Sequence, residues 1–329
     1  MSASAGPTLE ASVPQPSLTI VVVPRERFSH TERSLDALYR NTGYPFELVY
    51  VDANSPPAIA QYLKRAAAER NFRLIRNEQF LSPNQARSLG LAAVRSELVV
   101  FIDNDCEVAP GWLENLVRCA VETGAWAVAP LYFQGDPGDR MIHMACGTAR
   151  ISEANGVRSF KSDHALAHRH YDEVCAELHR RETELFEFHC VLLRMDALRA
   201  LGGLDVGYLS AHEHEDLSLL IRQAGGTIFF EPAAQVTYLF GRLDRFDAQY
   251  ARLRWSDDWN RQSTRHFREK WGLHSDWGAG TIEWCNDHRR MLLRNSRGPI
   301  PMLRRWLTSA AKRTRGAQVQ GKRAPARGP

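Results

Sequence analysis

At 329 residues, with 44% hydrophobic and 24% charged side chains, the chain is long enough for one large domain, or a domain with an appendage, of ordinary globular type. No apolar run reaches the roughly 18 residues of a membrane span. The formal charge of +4 does not point to nucleic acid, because residues 297–329 hold nine Lys/Arg and no Asp/Glu and leave 33 basic against 38 acidic residues elsewhere.

Residues 1–16 are small, polar and Pro-bearing and read as a disordered lead-in. Leu18–Pro24, "LTIVVVP", is a β-branched run stopped by Pro, hence a buried strand. Residues 31–41 place Leu35, Leu38 and Tyr39 at helical spacing, and Thr31 can cap the start. Phe46–Asp52 is a second strand, broken by "NSPP". A helix over 58–70, the strand "FRLIRN", a helix over 84–95 and the strand "ELVVFID" follow. This alternation predicts a parallel, doubly wound sheet, whose functional groups sit at the carboxyl ends of the strands. Those ends carry Pro24-Arg25, Asp52-Ala53-Asn54, Asn77 and Asp103-Asn104-Asp105, and we expect them to line one crevice.

Beyond residue 110 the pattern loosens. "WAVAPLYF" reads as a strand, and the His-rich stretch 135–184 as loops plus a helix around 165–184. The histidines at 164–179 read as surface residues. "FEFHCVLLRMDALRALGGLD" reads as strand, helix and Gly turn. "HEHEDLSLLIRQAGG" reads as a helix ended by Gly225-Gly226. "TIFFEP" and "AQVTYLF" read as two strands, and 243–295 as helical, with its tryptophans taken mainly as packing. The six cysteines are scattered without a CxxC pair, which fits free thiols in a reducing cytosol and argues against structural zinc.

Two aspartates at i and i+2 after a strand can direct oxygens to one point, which suits a hard cation such as Mg2+ or Mn2+. The rival reading is a pair of turn aspartates. There is no G-x-x-x-x-G-K-[S/T] and no G-x-G-x-x-G after the first strand, so a metal is the obvious neutraliser left for a bound diphosphate.

The order of these parts resembles family 2 glycosyltransferases, inverting nucleotide-sugar transferases of the GT-A fold, over roughly residues 17–240. "IVVVPRERF" and "LVYVDANSP" match the family's first two strand ends. "RNEQFLSPNQARSLGLAAVRSELVVFIDNDCEVAPGWLENL" is similar to its run into the D-x-D, and "LLRMDALRALGGLDVGYLSAHEHEDLSLLIRQAGG" to its second signature. The resemblance implies a doubly wound mixed sheet with a C-terminal helical appendage. It implies an enzyme that moves a sugar from a UDP-, GDP- or TDP-sugar to a glycan, lipid-linked or small-molecule acceptor. By the same likeness Pro24, Arg25, Asp52 and Asn54 would contact the nucleoside, Asn84 and Arg87 the diphosphate, and Asp103 and Asn104 the nucleotide. Asp105, with Asp103 and either His214 or His212, would hold Mn2+ or Mg2+. The catalytic base would be Asp216, with Glu215 and Glu213 behind it. Tyr238 stands where a metal-binding His is often found, and Ala53 where a second Asp is common.

The expected organisation is a lead-in (1–16), a transferase domain (17–240; nucleotide half 17–110, acceptor half 111–240), a helical extension (241–296) and a basic tail (297–329). The tail reads as solvated, or else as docking on an anionic inner membrane leaflet; the protein itself reads as cytoplasmic, with no nucleic-acid partner. Two rivals to a transferase remain. A sugar-1-phosphate nucleotidyltransferase would want a Gly-rich loop that "PRERFSH" lacks. A catalytically inactive sugar-nucleotide or glycan-binding module is the other.

Overall fold

The computed structural model describes residues 15–294; the lead-in up to residue 14 and the basic tail lie outside the described residues. The first half alternates as its periodicity predicts. Strand β1 (Leu18–Val23) leads to α1 (Thr31–Asn41), β2 (Glu47–Ala53) to α2 (Pro57–Arg70), and β3 (Arg73–Asn77) to α3 (Pro83–Leu91). Strand β4 (Leu98–Asp103) and the short β5 (Cys106–Val108) close the half. All six residues of β1 and of β4 are buried, as strands covered on both faces require. Pro57 and Pro83 start their helices at positions that need no N–H, and Ser82 and Gln85 form a capping box on α3. Thr31 is not the cap of α1. It is the first helical residue, and its hydroxyl accepts from Asn104 and Tyr50 instead.

Helix α4 (Trp112–Thr123) returns the chain to β6 (Ala127–Gln134), which pairs with β7 (Met141–Met144). The stretch expected as loops plus a long helix is mainly a hairpin, β8 (Gly147–Ala154) with β9 (Val157–His164), and its only α-helical turn is α5 (Tyr171–Val174). The hairpin turns on Asn155-Gly156, both at positive φ (52° and 74°), the conformation a tight two-residue turn demands. Strand β10 (Arg181–Thr183), β11 (Cys190–Arg194), α6 (Met195–Ala200) and α7 (Glu213–Gln223) follow. The two strands expected at 227–240 are one, β12 (Ile228–Tyr238), which passes Pro232 with a register shift between Glu231 and Gln235. A bulge is where a sheet tolerates Pro. Helices α8 (Arg245–Arg254), α9 (Asp257–Lys270) and α10 (Ala279–Arg294) complete the described chain.

The strands make one mixed sheet in the order β10-β12-β6-β11-β4-β1-β2-β3, with β5 on β12 and β7 on β6. Strands β3, β2, β1 and β4 form one parallel block and β6 and β12 a second parallel pair; β11 runs antiparallel between β4 and β6. The order reverses between β1, whose other neighbour is β2, and β4. The crevice at a reversal of this kind opens at the strands' carboxyl ends. It falls where Pro24-Arg25 meets Asp103-Asn104-Asp105. The helices α8–α10 are not a separate body: Phe267 lies in the main core, and only Leu243, Ala248, Ala251, Trp255, Cys285 and Leu292 form a satellite cluster.

Candidate active site

The ends of β1 and β4 are stitched together by Asn104. Its N–H donates to Val23 O (2.8 Å), its Oδ1 accepts from the Arg25 N–H (3.0 Å), and its Nδ2 donates to Arg27 O (3.2 Å). This amide therefore shapes the crevice floor, and the two flanking carboxylates diverge in fate. Asp103 faces three cationic or imidazole groups: Arg87 Nη2 at 3.0 Å, His189 Nδ1 at 3.3 Å and Arg25 Nη1 at 3.4 Å. Burial alone would raise its carboxyl. The His189 contact and the Arg87 and Arg25 guanidiniums outweigh that and hold it below the usual carboxylate range. Asp105 has only Arg27 Nη1, at 3.7 Å, and neither of its buried oxygens has a hydrogen-bond partner. Burial pushes it up to about 8; Arg27 opposes the shift, and Asp103 and Glu26 reinforce it.

Pro24 is buried at the end of β1. Asp52 accepts from the Ser55 N–H (2.9 Å) and pairs with Arg76 (2.5 Å), so it braces the turn after β2. Asn54, in the left-handed region, donates its N–H to Asn77 O (2.8 Å), which joins the β2 and β3 ends. Asn84 accepts from Arg87 Nη1 (3.1 Å) and donates to Asp205 O (3.1 Å), bridging α3 to the segment before α7.

Alternating charges extend from this centre into residues that spacing alone did not flag. Arg87 Nη1 lies 3.7 Å from Glu213, Arg254 Nη2 lies 3.6 Å from the same carboxylate, and Arg254 Nε lies 4.0 Å from Glu26. Glu26 in turn accepts from Arg27 (3.1 Å), from the Tyr238 hydroxyl (2.5 Å) and from Trp255 Nε1 (2.9 Å). Glu26, Arg27, Arg87 and Arg254 are essentially fully buried. Tyr238, in the place of the expected histidine, is held between Glu26 and Arg27 and stacks on His189 at 4.2 Å. The sequence signal that was available is "RER" directly after a buried strand.

The acidic first turn of α7 points three ways. Glu213 faces the arginines. Glu215 bonds His212 and Ser162 Oγ (2.6 Å); burial raises its carboxyl, but His212 outweighs that and takes it to about 2. Asp216 accepts from Lys270 Nζ (2.8 Å), Trp271 Nε1 (2.9 Å) and Tyr208 OH (3.0 Å). Among the described residues His214 contacts neither Asp103 nor Asp105. Its Nε2 lies 3.7 Å from Glu187, a buried carboxylate in the loop before β11.

As a fit for a divalent cation the crevice is uneven. Asp105 is an oxygen donor without a partner and suits a hard ion; Asp103 is already neutralised by side chains, and the Tyr238 hydroxyl is engaged.

A mixed, doubly wound sheet with its acidic strand end at the switch point is the GT-A glycosyltransferase fold. GalNAc-T7, solved with UDP, GalNAc and Mn2+, superposes with a TM-score of 0.54 at 18% identity, covering 83% of this chain and 56% of that one. The mannosyltransferase PcManGT from Pyrobaculum calidifontis, solved with GDP-Man and Mn2+, gives 0.53 at 16% identity over 91% of this chain and 80% of that one. The chain belongs to glycosyl transferase family 2, whose model matches residues 19–201. The pre-mycofactocin glycosyltransferase of Mycobacterium tuberculosis is 27% identical over 166 residues, 47% of this chain and 30% of the relative. The chain thus spans less than a third of the length of that relative. Among the described residues no helix is long and apolar enough to cross a membrane.

Proposed function

We propose that the protein transfers a sugar from a nucleoside-diphosphate donor to an acceptor hydroxyl in one inverting displacement, with a divalent cation at Asp105. The observation that carries this reading is the buried Asp105 carboxyl, without a hydrogen-bond partner, at the β1/β4 switch point beside an ionised Asp103 and three arginines. The family match supports it, as do similar folds solved with UDP or GDP-Man and Mn2+.

A divalent cation held at Asp105 would supply positive charge to the departing diphosphate. Arg27 faces Asp105, while Arg25 and Arg87 pair with its neighbour Asp103; all three add fixed positive charge beside the donor site. Pro24, Asn54, Asp52 and Arg76 frame the nucleoside side of the crevice. We assign the proton acceptor to the first turn of α7. Asp216 is the leading candidate from the sequence, yet it already accepts three donors, and Glu215 is held by His212 and Ser162. Glu213 faces donor-side arginines at 3.6–3.7 Å. Once a diphosphate takes up those arginines, Glu213 is the carboxylate freed to accept the acceptor's proton, and Asp216 positions α7.

A melting screen with UDP, GDP and TDP, with and without Mn2+, tests the donor site. One nucleotide should stabilise the chain only with the metal; stabilisation by none would sink the reading. Donor hydrolysis then separates the carboxylates. Glu213→Gln should cost about 100-fold or more in rate with nucleotide affinity retained. Asp216→Asn should act mainly by lowering the melting temperature. The locked Tyr238 hydroxyl favours one alternative, a binding module without turnover, which nucleotide binding with no measurable hydrolysis would reveal.

A further inference from the structure

Glu187 sits at the centre of an imidazole cluster that glycosyl transfer as proposed above does not use. Its Oε1 lies 3.3 Å from His164 Nε2, 3.7 Å from His214 Nε2 and 3.7 Å from His143 Nε2. His189 packs edge-on to His143 at 5.2 Å between ring centres. The residues come from five places in the fold: β7, the end of β9, the loop before β11, the residue preceding β11, and the head of α7. Two sets of three place their ligand atoms within 4.8 Å of one another, His164–Glu187–His214 and His143–Glu187–His189.

The spacing is the informative feature. Nitrogen and oxygen atoms that share a proton approach to about 2.7–3.2 Å. Here at least three imidazole nitrogens converge on one carboxylate oxygen and stop at 3.3–3.7 Å. Ligands bound at about 2.0–2.2 Å around a tetrahedral ion stand about 3.3–3.6 Å apart. The carboxylate-to-imidazole separations are therefore close to those between neighbouring ligands of one ion, and the three ligand atoms of each set lie within 4.8 Å of one another. The His143 ring is also oriented from behind. Its Nδ1 faces Gln134 Oε1 at 3.2 Å, and Gln134 Nε2 faces His168 at 3.0 Å. Its buried Nε2 has no hydrogen-bond partner. His143 is thereby tied into a hydrogen-bond chain with Gln134 and His168.

We propose that His164, Glu187 and His214 hold a transition-metal ion of the zinc class, with a fourth position open, as a site separate from the cation at Asp105. Of the two sets, this one uses imidazoles that make no other described hydrogen bond or ion pair. His143 and His189 are also engaged through Nδ1, with Gln134 and with Asp103. Two imidazoles and one carboxylate select zinc, cobalt or nickel over Mn2+ and Mg2+, whereas an all-carboxylate site does the reverse. An ion there would tie the β8–β9 hairpin, the loop before β11 and the acidic turn of α7 to one point.

The test uses the full chain carrying Asp105→Asn, stripped with chelator, so that the other cation site is silent. Titrated Co2+ should bind one per chain with the visible absorption of an imidazole-ligated, low-coordinate ion, and one equivalent of Zn2+ should displace it. His164→Ala, His214→Ala and the isosteric Glu187→Gln should each weaken Co2+ by at least about 100-fold, the upper end of what losing an outer-sphere partner costs. Binding is read on variants that keep a cooperative melt, and Glu187→Gln preserves side-chain volume if the histidine variants do not. Absence of stoichiometric Co2+ in the Asp105→Asn chain would overturn the proposal. So would binding that survives all three substitutions, or that is lost in His143→Ala and retained in His164→Ala. Neither the expected nor the contrary result depends on sugar transfer.

Discussion

Two buried carboxylates a residue apart do not both stay ionised without cations to balance them. Asp103 is given arginines, and Asp105 is left to hold a proton. The sign of the resulting pH dependence follows. The folded-state value of Asp105, about 8, lies above the unfolded value of about 3.9, so the metal-free fold binds the extra proton and loses stability as pH rises between the two. The charged groups facing Asp105 are Arg27, Asp103, Glu26 and Arg25. Asp105→Asn should flatten that slope and raise the melting temperature near pH 8 in the presence of a chelator. Melts from pH 5 to 9 check this, and an unchanged slope would count against the assignment. Cation affinity should rise over the same window, because the proton must leave first. At this scale "DND" was legible as a motif, but the identity of the protonated member was not. It depends on Arg27 and Arg87 arriving from either side of the crevice.

Helix α3 shows how an element is placed. Gly90 faces the sheet, and a Cβ there would stand 2.4 Å from Val21 Cγ1 and 3.1 Å from Val51 Cγ2. Gly→Ala in a helix ordinarily gains about 1 kcal/mol. Overpacking against two strand valines costs about 1–3 kcal/mol, and buried strands have little room to yield. Gly90→Ala should therefore lower stability on balance, measurable as a lower urea midpoint. A gain would mean that α3 rides higher on the sheet than it does here. The element scale is also where the sequence reading went astray. Asn155-Gly156 between "ARISEA" and "VRSFKS" is a hairpin signal, obscured by the polar flanks of a two-stranded ribbon whose outer residues are largely exposed. The bulge at Pro232 likewise divided one strand into two.

On the scale of the molecule, the C-terminal helices are part of the site. Lys270 and Trp271 hold Asp216, Arg254 faces Glu213, and Trp255 donates to Glu26 across 229 residues of chain. A chain ended at residue 240 would leave Glu26, Glu213 and Asp216 buried or partly buried with donors missing, a cost that removal of one partner from a buried pair makes severe. It should lose its cooperative melt and any nucleotide response. A truncated chain that melts cooperatively and still responds to nucleotide would show that these contacts are dispensable. The family match ends at residue 201, before these helices.

By itself the sequence determined the alternating strands and helices of residues 18–103, the acidic strand end and the acidic helix start. Each is written in local periodicity and in residues a few positions apart. Only the tertiary structure decided which carboxylate is ionised, what holds the two aspartates together, and that Glu187 gathers histidines from β7, β9 and α7. Those outcomes rest on burial and on charge pairing between residues as far apart in the chain as Asp103 and His189, and neither exists until the sheet has closed around them.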